Sequence, residues 1–209
     1  RPSKKLNILS LFNSEDSASK NNRNTIDFIN QITKDSINTE INFTDSNWYA
    51  IAMGVFLYQG KEVKINVTLQ VNGSKTKGYK WVIVGVTSNV FLVNEKRDSS
   101  LYFINPMNHE IGFTELSKAL KEKERIFDCS NTNNLDFLTT FLFMIKKGDI
   151  KLMQISKVEF VFLQIPNWIF TVNNFNRLEY NSGWLISKLT QLTYIQKQEY
   201  KREELGIKF

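Results

Sequence analysis

The chain is poor in the residues that build disulfide, metal and nucleotide sites. Its 209 residues include one cysteine, one histidine, three prolines and nine glycines. A single cysteine, Cys129, excludes an intramolecular disulfide and leaves a cysteine-based zinc site without partners. The sequence also lacks a Gly-rich phosphate loop and the Ser-x-x-Lys and Gly-x-Ser-x-Gly motifs of nucleophilic enzymes. We therefore expect no metal, no cofactor and no catalysis of these kinds.

Long hydrophobic runs and clustered charge are also missing. No apolar run reaches the ~18 residues that a membrane-spanning helix needs. The formal net charge is +6, and acidic residues are interleaved with basic ones, so we do not expect nucleic acid to be a partner. Hydrophobic residues nevertheless make up 42% of the chain and aromatic residues 13%, which indicates a folded protein with one ordinary core or two small ones.

The strongest local pattern is a β-hairpin between residues 61 and 86. From Val63 to Val71, apolar residues alternate with polar ones, as on a strand with one buried face. Asn72-Gly73 tolerates the positive φ of a tight turn, so we begin the loop there, and Ser74–Gly78 lengthen it. The return strand, Tyr79–Val86, is apolar on both faces, which predicts a central strand covered on both sides. Trp48–Tyr58 predicts a third strand, although a buried helix fits its first half.

Helices are predicted before and after this meander. Residues 24–34 show helical spacing, with Asn24 as the N-cap. The clearest helix is Asn134–Lys147, which begins at an N-cap and ends before Gly148. Its apolar stripe is wide, and it contains Leu135, Leu138, Phe141, Leu142 and Ile145. A shorter helix is predicted to begin at Thr114.

A second β region and a terminal helix complete the chain. Val158–Ile165 predicts a strand, Trp168, Phe170 and Val172 alternate on another, and a third begins at Trp184. The last part of residues 191–205 predicts a helix. We expect residues 1–22 to be a polar, loosely attached segment and residues 23–209 to form one domain. The pattern as a whole predicts an α+β protein with a mostly antiparallel sheet.

Several short segments resemble those of uncharacterised NTF2-like (cystatin-like) proteins of Bacteroidetes. They are Trp48-Tyr49-Ala50, Tyr58-Gln59-Gly60-Lys61, residues 80–86, residues 104–110 with Phe113 and Leu116, and Ser182-Gly183-Trp184-Leu185-Ile186. The resemblance implies a curved, mostly antiparallel sheet that packs on helices as a cone, often with a pocket. It also implies a periplasmic or cell-envelope location after removal of a signal sequence, with the cytoplasm as the alternative. It implies no activity, because such folds serve enzymes, carriers and scaffolds.

Three residues are candidates for acid/base chemistry. His109 and Glu110 are the only adjacent imidazole and carboxylate, and a histidine beside a carboxylate can act as a general base near neutral pH. Asp136 begins the clearest helix, and burial in a pocket would raise its pKa. In each case we prefer a structural role: hydrogen bonding within a loop for His109-Glu110, and complementing the helix dipole for Asp136.

Tryptophans are the candidates for ligand binding. Trp81, Trp168 and Trp184 lie on predicted strands and suit the aromatic walls of a small-molecule pocket. Aromatic residues on strands are more often core residues, so both interpretations stay open. We therefore expect a non-catalytic binding or assembly module that acts through a protein partner, a small hydrophobic ligand or a homodimer. The alternative is a small-molecule-binding or acid/base enzyme with a pocket in the sheet.

Overall fold

A computed structural model describes residues 4–15, 22–34, 40–91 and 137–209. Its elements, in chain order, are α1 (Lys4–Leu9), α2 (Arg23–Ile32), β1 (Trp48–Tyr58), β2 (Lys61–Ser74), β3 (Gly78–Thr87), a 3-10 turn (Asn89–Phe91), α3 (Phe137–Lys147), β4 (Ile150–Phe162), β5 (Trp168–Phe175), β6 (Gly183–Gln191) and α4 (Tyr194–Glu203).

The six strands form one open, curved sheet in the order β3-β2-β1-β4-β5-β6, and every neighbouring pair is antiparallel. The prediction of an α+β fold with an antiparallel sheet is confirmed. Strand β1 lies in the middle, and its Tyr49 is opposite Gln70 of β2 and Val161 of β4. The strand assignment of Trp48–Tyr58 is therefore also confirmed.

The hairpin loop is shorter than predicted. Strand β2 continues through Asn72 and Gly73 to Ser74, which pairs with Gly78. The loop is therefore residues 75–77, and Gly78 follows it with a φ of 79°. A three-residue loop followed by a left-handed glycine is a standard hairpin connection. Gly73 is instead needed for close approach, because a Cβ there would lie 2.1 Å from the carbonyl oxygen of Gly78.

Strand β3 is an edge strand, so the prediction of a central strand is wrong. The C-terminal tail covers one of its faces, which accounts for the apolar residues on that face. A Cβ on Gly85 would lie 2.1 Å from the carbonyl oxygen of Leu205, so the tail crosses β3 in direct contact. On the other face Trp81 and Ile83 stay substantially exposed.

The two faces of the sheet carry different helices. The aromatic face, which includes Trp48, Phe162 and Phe170, packs against α1 and α2. The opposite face, which includes Tyr49, Val161 and Ile169, packs against α4 and the C-terminal tail. A third cluster forms around α3.

Helix α3 has a narrower buried stripe than predicted. Its Phe141 is buried and contacts Phe56 of β1, with the ring centroids 5.6 Å apart. Leu142 and Ile145, which the predicted stripe included, are exposed instead. The buried side of α3 therefore consists of Phe141 together with Phe137, Leu138 and Met144, which are only partly buried.

The described part of the N-terminal segment, residues 4–15, packs on the sheet. Phe12 is 1% exposed and forms a parallel β-bridge with Ile186 of β6. The Ile186 N–H donates to the Leu11 carbonyl at 2.7 Å, and the Asn13 N–H donates to the Ile186 carbonyl at 2.9 Å. Asn181 adds further bonds, because its Oδ1 accepts from the backbone and hydroxyl of Ser14.

Candidate functional site

An apolar groove lies between the aromatic face of the sheet and helices α1 and α2. Its volume is about 680 Å³. Every described residue that lines it is aliphatic or aromatic except Lys4. Cavities of ~300–1,000 Å³ with apolar walls are typical of small-molecule sites.

The floor of the groove is a row of stacked aromatic rings on three neighbouring strands. Trp48 of β1 stacks on Phe162 of β4 at 5.4 Å and an interplanar angle of 7°. Phe162 stacks in turn on Phe170 of β5 at 4.8 Å and 10°. The register makes this row, because Trp48 is opposite Phe162 and Phe162 is opposite Phe170. Cross-strand aromatic pairs of this kind stabilise a sheet and give it a flat apolar surface.

Helix α2 supplies one wall of the groove. Its Phe28 is buried and contacts Trp168 at 5.6 Å and Phe170 at 5.9 Å between ring centroids. Helix α1 is held beside α2, since Phe12 contacts Phe28 at 6.4 Å. Ile8 and Leu11 complete this side.

The loop before β1 supplies the facing wall. Phe43 packs edge-on against Trp48 at 5.3 Å, and Trp48 Nε1 donates to the Phe43 carbonyl at 3.1 Å. Gln164 fixes the same loop, because its amide donates to the Asn42 carbonyl at 2.6 Å and accepts from the Asn42 N–H at 2.9 Å. The walls are thus held by hydrogen bonds that leave their inner surface apolar.

The structure separates the three tryptophans that the sequence grouped together. Trp184 lines the groove, is 47% exposed and packs against Phe160 at 5.0 Å. Trp81 lies at its rim, 41% exposed, and contacts Trp48 at 4.8 Å. Trp168 is a core residue at 2% exposure, and its Nε1 donates to Gln31 Oε1 at 2.8 Å.

Sequence reasoning missed the contribution of the N-terminal segment to this site. It treated residues 1–22 as a polar, loosely attached segment and did not connect Ile8 and Leu11 with the sheet. It also missed the row of Phe162 and Phe170. The available signal was the alternation on β4 and β5, which places Phe160 with Phe162 and Phe170 with Val172 on one face.

The acid/base candidates His109, Glu110 and Asp136 lie outside the described residues, as do Cys129 and the helix predicted at Thr114. Their proposed roles stay predictions. Within residues 4–15, 22–34, 40–91 and 137–209, no group of three or more His, Cys, Asp and Glu side chains is placed to hold a metal ion.

A second, polar cavity of about 410 Å³ lies on the opposite face, beside α4. Asn173 lines it and donates through Nδ2 to Ser187 Oγ at 2.6 Å, while Ser187 Oγ donates to the Thr171 carbonyl at 3.2 Å. Burial and the nearby carboxylate of Glu204 raise the pKa of Tyr200 to about 12. The phenol therefore keeps its proton at neutral pH and can donate a hydrogen bond but cannot act as a base.

Two buried lysines fasten α4 to the sheet. Lys197 Nζ donates to the carbonyls of Leu163 at 2.8 Å and Ile165 at 2.6 Å, and Lys201 Nζ donates to Asn47 Oδ1 at 3.0 Å. Burial, followed by the positive charge of Lys201, lowers the pKa of Lys197 to about 8. Burial also lowers the pKa of Lys201. An amine with a lowered pKa can act as a nucleophile, but Lys197 is engaged with two carbonyls on the inner side of α4.

Comparisons of the chain with known protein families, with curated proteins and with solved structures found no match. The resemblance to NTF2-like proteins therefore stays a prediction. In the part of the chain that the structure describes, no helix has the length and apolar character needed to cross a membrane.

Proposed function

We propose that this protein is a non-catalytic binding module that takes a small hydrophobic ligand into the apolar groove. One observation carries the proposal: a concave cavity of about 680 Å³ whose described lining residues are aliphatic or aromatic apart from Lys4. Trp184 stays 47% exposed in that wall. A large aromatic surface that remains open to water beside a cavity is typical of a binding site rather than of a completed core.

The chemistry of the groove favours binding over catalysis. Among the residues that the structure describes, its lining contains no carboxylate, imidazole, thiol or hydroxyl group that could transfer a proton or attack a substrate. The groove can instead bind a ligand by removing the ligand's apolar surface from water. Each methylene group buried there contributes about 0.8 kcal/mol, so affinity should rise about four-fold with each carbon added to a ligand.

A series of straight-chain alcohols tests this proposal. Their affinity is measured by displacement of Nile red, a neutral dye whose fluorescence rises in apolar surroundings. We expect saturable competition, with the dissociation constant falling about four-fold per carbon until the groove is full. A dye that does not bind, or a constant that is independent of chain length, would contradict the proposal.

Two variants locate the binding to the groove. Val172→Trp adds an indole to a residue that lines the groove, and Trp184→Ala removes an exposed part of its wall, so each should weaken the alcohols several-fold. Ile83→Trp is the matched control, because Ile83 is an exposed apolar residue on β3 outside the groove. Equal effects of Val172→Trp and Ile83→Trp would place the binding elsewhere.

We also propose that the fold is an NTF2-like (cystatin-like) cone. The support is an open, curved antiparallel sheet with helices against it and a groove between them. The periplasmic or cell-envelope location rests on the sequence resemblance alone, and the homodimer stays a prediction. Fractionation of cells that express the full gene would test the location, and light scattering of the purified protein would test the dimer.

A further inference from the structure

Within the described part of the chain, Lys4 is the one charged residue that lines the apolar groove. It is the first residue of α1, and it is exposed. None of the carboxylates in the described ranges forms an ion pair with it. Its ammonium group is therefore available to a ligand.

The neighbouring lysine shows that this placement is particular to Lys4. Lys5 Nζ donates to Asn30 Oδ1 of α2 at 2.7 Å and does not line the groove. Lys5 thus connects α1 to α2 by a hydrogen bond, whereas Lys4 lines the groove.

The position of Lys4 is fixed through the rest of its segment. Phe12 is buried in the core, and Leu11 and Asn13 bond the backbone of β6. Within α1 itself, Ile8 and Leu9 pack against the same core, and Lys5 bonds Asn30 of α2. The charge of Lys4 is therefore held beside the groove.

We propose that the ligand of the groove is a single-chain amphiphile with a carboxylate head, whose tail lies on the aromatic floor and whose head meets Lys4. The inference rests on the proposed function, since it names the chemical class for the same site. Among the described lining residues, Lys4 is the only charged group that a polar head can meet, and its ammonium group attracts an anion and repels a cation. A neutral head gains neither effect.

The volume favours one chain over two. A methylene group takes up about the liquid volume of a water molecule, ~30 Å³. A chain of about sixteen carbons then needs roughly 480 Å³, which fits the 680 Å³ of the groove. Two such chains would exceed it, so a free fatty acid suits the site better than a two-chain lipid.

The test compares three twelve-carbon ligands that differ only in their heads: dodecanoate, dodecanol and dodecyltrimethylammonium. Each is titrated below its micelle concentration against displacement of Nile red, with the wild-type protein and with Lys4→Glu. An exposed ion pair changes affinity by up to about five-fold, and reversing the charge adds a repulsion of similar size. Lys4→Glu should therefore weaken dodecanoate about ten-fold, strengthen dodecyltrimethylammonium and leave dodecanol unchanged.

Lys64→Glu is the matched control, because it changes the net charge equally at an exposed residue of β2 outside the groove. If it changes the dodecanoate affinity as much as Lys4→Glu does, the head does not meet Lys4. Parallel changes in all three ligands with Lys4→Glu would overturn the inference while leaving the hydrophobic site intact. Failure of dodecanol itself to bind the wild-type protein would instead contradict the proposed function.

Discussion

Raising the pH from neutral should stabilise this protein, because Lys197 is buried. Its folded pKa is about 8, against 10.5 for the ordinary group. Between these values the unfolded chain holds more protons, so the free energy of unfolding increases with pH in that window. The two pKa values give a rise of roughly 2 kcal/mol between about pH 7 and about pH 9.5. The two carbonyl bonds of Lys197 favour its charged form, so we expect a rise of about 1–2 kcal/mol.

Two tyrosines act in the reverse sense at higher pH. Burial raises the pKa of both Tyr49 and Tyr200 to about 12 from 10.0. An acid whose folded pKa is raised contributes stability below its unfolded pKa and loses that stability as the pH rises toward the folded value. The free energy of unfolding should therefore pass through a maximum near about pH 10.

Urea unfolding followed by circular dichroism at a series of pH values measures this curve. Lys197→Met should reduce the rise, because it removes one titrating group while keeping an unbranched side chain; Lys201, whose pKa burial also lowers, supplies the remainder. Lys64→Met, an exposed control, should keep the wild-type curve. If the Lys197→Met and wild-type curves run parallel, the lysine does not titrate in the way that its burial indicates.

Two further predictions test the parts of the fold that frame the groove. Phe12→Ala should lower the free energy of unfolding by about 3–5 kcal/mol, as for other buried aromatic residues; a loss below about 1 kcal/mol in urea unfolding would show that the N-terminal segment lies outside the core. Gly85→Ala places a Cβ 2.1 Å from the Leu205 carbonyl oxygen and should displace the C-terminal tail. Amide exchange of Leu205 and Ile207 should then accelerate, and unchanged protection would contradict the contact.

Local patterns in the sequence predicted most of the strands. The alternation from Val63 to Val71 and from Trp168 to Val172 marks strands, since side chains on a strand alternate faces. The order of the strands in the sheet was harder to predict, because strand pairing depends on residues that are distant in the sequence. Nothing near β3 in the chain shows that Leu205 covers it, so a strand with two apolar faces was assigned to the centre of the sheet.

The site was predictable only in part for the same reason. Trp168 and Trp184 are equally apolar in the sequence and both lie on strands. Phe28 of α2 covers Trp168, whereas no described helix packs over Trp184 to the same extent. Which tryptophan joins the core and which lines a groove is thus decided by helix placement. The same holds for Lys4, whose role depends on where α1 packs.

The bridge between the N-terminal segment and β6 also determines at which stage of synthesis the groove can form. Phe12 and Asn181, which bond each other across this junction, are 169 residues apart in the chain. A protein emerging from the ribosome presents its N-terminal part first, and contacts of such long range form late. The wall made by α1 therefore has no sheet to close against until β6 has been synthesised. Occupancy of the groove would then report that β6 has joined the sheet, and a ligand present in the cell would stabilise only molecules in which it has.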